Sequence, residues 1–175
     1  KISVGAPAGF ANAVVPALGA LSRVSTGTLV VSDREVKLSG DALYEAAAVQ
    51  IRAGLGKDFP QGWQFKPEIS VRPPAAPVDA TVCQQLFADL LGKARIRFES
   101  GRADIVADSA GLLDRLIETA LRCPNANIEI AGHTDSDGDD TANQELSEKR
   151  AQAVAHYLVK AGLPATRFSA VGYGE

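Results

Sequence analysis

The chain has 175 residues, 46% of them apolar and 22% charged, and a formal net charge of −3. That length suits one domain or two small ones, and no uncharged apolar run is long enough to span a bilayer, which argues for a soluble globular product. Both signs of charge are mixed along the chain, so no basic field favours nucleic acid and no nucleic-acid partner is expected.

The chain contains no methionine and opens mid-pattern at Lys1-Ile2-Ser3-Val4, so it reads as a piece of a longer protein, and the lack of a leader carries no information. Apolar periodicity predicts a helix over 8–23, strands over 28–32 and 35–39 joined by a tight turn at Asp33-Arg34, a helix over 43–55 and a strand over 64–72. Pro73-Pro74-Ala75-Ala76-Pro77 lacks ladder donors and favours an extended path, so residues 73–79 read as a linker between units 1–72 and 80–175. Ile2-Ser3-Val4 and Pro7 echo Ile69-Ser70-Val71 and Pro73-Pro74. A true repeat would make residues 1–4 the last strand of a preceding copy in a tandem array. Val36-Lys37-Leu38-Ser39-Gly40 followed by an alanine-rich helix is similar to BON-like modules, small α/β sandwiches of envelope proteins. That resemblance implies lipid or homo-oligomer contacts for the first unit. Arg23, Arg34, Lys37 and Arg52 could meet anionic headgroups, although scattered surface charge is their default reading. Nothing in 1–72 looks catalytic.

Beyond the linker, the pattern predicts a helix over 80–91, a strand over 95–98, a helix over 109–121, a strand over 127–132, a helix over 141–161 and a strand over 167–172. Leu112, Leu113, Leu116, Ile117 and Ala120 form the core stripe of the second of these helices, and Gly162 with Pro164 ends the last one. The fold class expected is α/β (α+β), with two small α/β sandwich domains and the helices of the second packed on one mixed sheet. Cys83 and Cys123 are the only cysteines. They are either two buried thiols or one disulfide, which would stabilise by about 4 kcal/mol in the chain-entropy model.

The helix over 141–161 carries one feature that core packing does not explain. Arg150 points between Leu146 and Val154 on its apolar face, and Asn143 points the same way. A charge there is costly unless paired and hydrogen-bonded. The strand ending near Thr134 delivers Asp135 to the N-terminal end of this helix, where backbone amides also attract anions. A pocket offering Asp135 to an ammonium and Arg150 to a carboxylate would suit a zwitterion. Two plainer readings remain open at this point: Asp135 and Arg150 pair with each other, or Arg150 snorkels to the surface.

The run Ile128-Glu129-Ile130-Ala131-Gly132-His133-Thr134-Asp135, then Asn143, Leu146-Ser147, Arg150-Ala151 and the closing Gly172-Tyr173-Gly174-Glu175, resembles the OmpA-like C-terminal domain that binds peptidoglycan. With Ile96-Arg97-Phe98-Glu99-Ser100 the resemblance covers roughly residues 80–175. It implies that the diaminopimelate of the peptide stem is held by Asp135 and Arg150, with Thr134, Asn143 and Glu99 around the pocket. Glu99 stands where that family often has aspartate. Leu146, between Asn143 and Arg150, completes the expected ligand-binding set. An envelope protein matures in an oxidising compartment, so the resemblance also favours a Cys83–Cys123 disulfide.

Other chemistries fit poorly. The acidic loop Asp135–Asp140 has glycine fourth and Leu146 twelfth, not the sixth-position glycine and twelfth-position glutamate of an EF-hand. Asp139 and Asp140 instead suit a helix cap. His133 and His156 do not make a three-ligand zinc set, and His133 is expected to orient its loop by hydrogen bonding. Ser136 and Ser147 lack a nucleophile elbow, and an arginine beside Asp135 and Glu99 would keep both ionised, which disfavours a general acid. The expectation is a non-enzymatic envelope protein on the periplasmic side, membrane-anchored at full length, needing no cofactor and binding peptidoglycan. The alternative is a protein–protein assembly module of an envelope machine, of the motor-stator or secretion type.

Overall fold

A computed structural model describes residues 5–55 and 59–175, so the strand expected at residues 1–4 lies outside the described residues. The chain divides into two compact units, Lys1–Pro74 and Ala75–Glu175.

The first unit runs α1 (Phe10–Leu21), β1 (Val24–Ser32), β2 (Glu35–Ala42), α2 (Glu45–Arg52) and β3 (Gln64–Val71). Its sheet has the order β1-β2-β3, antiparallel between β1 and β2 and parallel between β2 and β3. Asp33, at φ 53°, supplies the left-handed residue of the two-residue hairpin that sets Ser32 opposite Glu35. Alternation along β2 buries Val36, Leu38 and Ala42. The opposite face carries Lys37, paired with Glu68 at 2.7 Å, and Glu35, paired with Lys66. The hydrogen bond from Lys37 holds the Glu68 carboxyl below the usual carboxylate range. Ala13 and Ala17 of α1 meet Val36 and Trp63, with Leu29, Val31, Phe59 and Phe65 packed around them. The glycine of the Val-x-Leu-x-Gly motif has a steric cause. A Cβ on Gly40 would stand 2.5 Å from the carbonyl oxygen of Thr26, beside the irregularity in the β1–β2 ladder. Several of the cations considered for lipid contact are engaged within the fold. Lys37 pairs with Glu68, Arg23 donates to Gln50 at 2.7 Å, and Arg52 donates twice to the carbonyl of Ile69 while pairing with Glu45.

The second unit runs α3 (Ala80–Lys93), a 3-10 turn (Ala107–Ser109) continuing into α4 (Ala110–Arg122), β4 (Ile128–Gly132), α5 (Asp140–Lys160), a second 3-10 turn (Ala165–Arg167) and β5 (Phe168–Gly172). Strands β4 and β5 are parallel, with Ile128 opposite Phe168 and Gly132 opposite Gly172. Helices and strands are interspersed in both units, in keeping with a mixed α/β class, but the mixed pairing lies in the first. The strand expected over 95–98 is only an isolated antiparallel bridge between Phe98 and Ile105. Gly101, at φ 65°, turns the chain back. The N–H of Glu99 then bonds the carbonyl of Asp104 at 2.9 Å and that of Val106 bonds Arg97 at 3.0 Å. The segment finds its partners within the turn and at the Ser109 hydroxyl, which accepts from Arg97 N–H at 2.8 Å, rather than on β4 or β5.

On α4, Leu113, Leu116, Ile117 and Ala120 are buried, whereas Leu112 is only half-buried at the edge of the stripe. Arg167 closes the C-terminal end of α4 by donating to the carbonyls of Ala120, Cys123 and Ala126, where the helix dipole is negative. Helix α3 starts at an Asp79 cap that accepts from Val82 N–H at 2.9 Å, and Cys83 is its only buried residue. A disulfide joins Cys83 to Cys123, with the Cα atoms 6.0 Å apart. Gly162, at φ 105°, ends α5 in the left-handed conformation that glycine adopts without a Cβ penalty. Among the described residues, no helix is long and apolar enough to cross a membrane.

Candidate functional site

Two facing glycines bring α5 against the ends of β4 and β5. A Cβ on Gly132 would sit 2.1 Å from the carbonyl oxygen of Ser147, and one on Gly172 would sit 2.4 Å from the N of Glu148. Only hydrogen at both positions allows the helix backbone this close. Hydrogen bonds hold the contact. Gln144 donates to the carbonyl of Gly172 at 2.7 Å, and the Ser147 hydroxyl accepts from Gly174 N–H at 3.0 Å while donating to the carbonyl of Gln144. The chain stays zipped past the sheet, with Tyr173 N–H bonded to the carbonyl of Gly132 and Thr134 N–H to that of Gly174.

The loop from 133 to 139 is thereby anchored at one end, and α5 anchors the other. Asp139 caps the helix, its carboxylate accepting from Ala142 N–H at 3.0 Å. Asn143 is buried and its amide donates to the carbonyls of Asp137 at 3.2 Å and Asp135 at 3.4 Å. These bonds leave the Asp135 carboxylate exposed on a loop whose backbone is tied down. Thr134 has a buried hydroxyl oxygen with no hydrogen-bond partner among the described residues. His133 makes no side-chain hydrogen bond among the described residues and instead stacks on a ring. Its imidazole lies 5.5 Å from the Tyr173 ring at 16°. The Tyr173 hydroxyl donates to Glu129 at 2.9 Å, and that bond and the carboxylate's charge raise the phenol above its ordinary pKa.

Arg150 follows Asn143 by seven residues, two turns along the same stripe of α5 and about 10 Å further on at 1.5 Å per residue. It is half-buried. Its Nε donates to the carbonyl of Arg102 at 3.0 Å, and its Cζ lies 5.2 Å from the centroid of the Phe98 ring. Among the described residues, neither Arg150 nor Asp135 belongs to an ion pair, so the two do not neutralise each other. Nor does Arg150 snorkel freely, since the 98–104 turn holds it.

Between that turn and α5 lies a cleft of about 490 Å³, with Gly101 to Asp104 on one wall and Ala142, Asn143, Leu146 and Lys149 on the other. Of the residues expected at the site, Asn143 and Leu146 line this cleft, and Arg150 is attached to its wall through Arg102. Glu99 is exposed at the base of the turn, where its carbonyl accepts from Arg102 N–H at 3.0 Å. Asp135 and Thr134 lie on the pinned loop, outside the cleft lining. Sequence reasoning missed the part played by Arg102, whose contribution is a backbone carbonyl and leaves no residue-type signal. It also missed the packing of Phe98 on Arg150, although an aromatic beside the Glu99 position was in view. No group of three His, Cys, Asp or Glu residues that could hold a metal ion occurs among the described residues.

Residues 97–175 match the model of the OmpA family. Outer membrane porin F of Pseudomonas fluorescens is 41% identical over 80 residues, covering 46% of this chain and 24% of that protein. Outer membrane protein P5 of Haemophilus influenzae is 32% identical over 127 residues, covering 71% of this chain and 32% of that protein. The chain thus spans about a third or less of these relatives. Among solved structures, the peptidoglycan-associated lipoprotein of Burkholderia pseudomallei is 28% identical, covering 49% of this chain and 73% of that one, with a TM-score of 0.45.

Proposed function

From the match of residues 97–175 to the OmpA family model, we propose that this chain anchors an envelope protein to the cell wall by binding peptidoglycan noncovalently. The two similar proteins named above, porin F and protein P5, are outer membrane proteins, which supports an envelope setting. The ligand is the diaminopimelate of the peptide stem, whose distal end carries an ammonium and a carboxylate on one carbon. Asp135 accepts from the ammonium and Arg150 binds the carboxylate, with Asn143 and Thr134 as polar neighbours, Leu146 as apolar wall and Glu99 at the rim. Residues 1–72 act as a BON-like module, tied through the linker 73–79 to the binding domain 80–175.

One observation carries this reading. Arg150 is held on an apolar helix face with its Nε satisfied by Arg102, yet its two terminal nitrogens have no partner among the described residues. A half-buried guanidinium whose terminal nitrogens have no partner among the described residues is matched by a carboxylate that accepts two parallel hydrogen bonds. The reading predicts that, in calorimetric titration, a diaminopimelate-containing stem peptide binds saturably while its lysine analogue, which lacks the side-chain carboxylate, binds far more weakly. Asp135→Ala and Arg150→Ala should each cost about 2–5 kcal/mol of affinity, because each leaves one ligand charge unmatched. Retention of both variants on purified sacculi at wild-type levels would refute the assignment.

A further inference from the structure

Two contacts orient the Arg150 guanidinium before any ligand arrives. Its Nε–H is given to the carbonyl of Arg102 at 3.0 Å, and the Phe98 ring lies under its Cζ at 5.2 Å. Both come from one segment, the turn 98–104, closed by the Glu99–Asp104 backbone bond and by Gly101 at φ 65°. A guanidinium presents two bidentate edges to a carboxylate, one using Nε with a terminal nitrogen and one using both terminal nitrogens. With Nε committed to Arg102, only the end-on edge stays open.

We infer that the 98–104 turn is a cradle that sets Arg150 for end-on, bidentate recognition of a carboxylate, with Phe98 as its positioning residue. The inference rests on the reading of Arg150 as the group that binds the stem carboxylate. The negative face of the ring favours the cation above it, and the ring's bulk removes rotamers that a long arginine side chain would otherwise sample. Less ordering then remains to be done on binding. Leucine at this position keeps an apolar contact but has no quadrupole. Tyrosine keeps both ring and quadrupole.

Calorimetric titration of the 175-residue chain with the diaminopimelate stem and its lysine analogue tests the idea, with thermal melting to verify each variant's fold. Phe98→Leu should weaken the diaminopimelate stem about fivefold and leave the lysine analogue unchanged, whereas Phe98→Tyr should bind as wild type does. In an Arg150→Ala background, Phe98→Leu should have no further effect. The positioning role is overturned by wild-type affinity in Phe98→Leu, by equal weakening of both ligands, or by additive losses in the double variant. A wild-type chain that does not distinguish the two ligands overturns instead the reading of Arg150 itself, and the inference falls with it.

Discussion

Replacing Gly132 with alanine tests whether the close approach of α5 to the strand ends organises the whole site. The added Cβ would stand 2.1 Å from the carbonyl oxygen of Ser147, about 1.3 Å short of ordinary contact at 3.4 Å. The obstructing atom is helix backbone, so no side-chain rotation relieves the clash and α5 must move away. Overpacking of this kind costs about 1–3 kcal/mol. The shift also strains the Gln144–Gly172 and Gly174–Ser147 hydrogen bonds, worth about 1 kcal/mol each. Lower unfolded-state entropy returns less than about 1 kcal/mol, leaving a net loss of about 3 kcal/mol. Urea unfolding followed by circular dichroism would measure it, and hydrogen exchange should locate the loosening in α5 and β5. Because Asn143 moves with α5, ligand affinity should fall too. Gly92→Ala is the control, since a Cβ there meets nothing within 4 Å inside α3, and it should be neutral or slightly stabilising. A loss below about 0.5 kcal/mol for Gly132→Ala, with unchanged exchange in α5, would refute the reasoning.

Removing the disulfide with Cys83→Ala and Cys123→Ala should destabilise the second unit by up to about 4 kcal/mol, read as a lower urea midpoint. Because Cys83 is the only buried residue of α3, exchange should rise first in that helix. Tyr173 should titrate above 10.0, since Glu129 accepts its proton's hydrogen bond and opposes the phenolate charge. A raised folded pKa means that the stabilisation is complete below the unfolded value and is lost as pH rises through the folded one. Ultraviolet difference titration should show Glu129→Gln returning this phenol toward 10.0, and an unchanged curve would remove the Glu129 contact as the cause.

Local chemistry made much of the molecule legible in advance. The Asp139 cap, the apolar stripe and Gly162 marked α5 to within a residue or two, because each acts through backbone geometry a few positions away. Alternation and the Asp33-Arg34 turn marked the β1–β2 hairpin for the same reason. The segment around Phe98 was harder to read. Its residues have strand character, but whether they join a sheet depends on which partners lie alongside, and the Gly101 turn with the Ser109 hydroxyl satisfies them locally.

At the site, residue type alone singled out Arg150, because an unpaired charge on an apolar stripe demands an explanation. Arg102 could not be found that way, since its contact to Arg150 uses a main-chain oxygen that every residue possesses. Glycines 132 and 172 were visible as letters, but their purpose depends on which helix backbone arrives above them. Sequence by itself determined the elements, their caps and the charged side chains, all set by interactions within a few residues. Only the tertiary structure decided how closely α5 approaches the strands and which edge of Arg150 stays open, because both depend on contacts between segments distant along the chain.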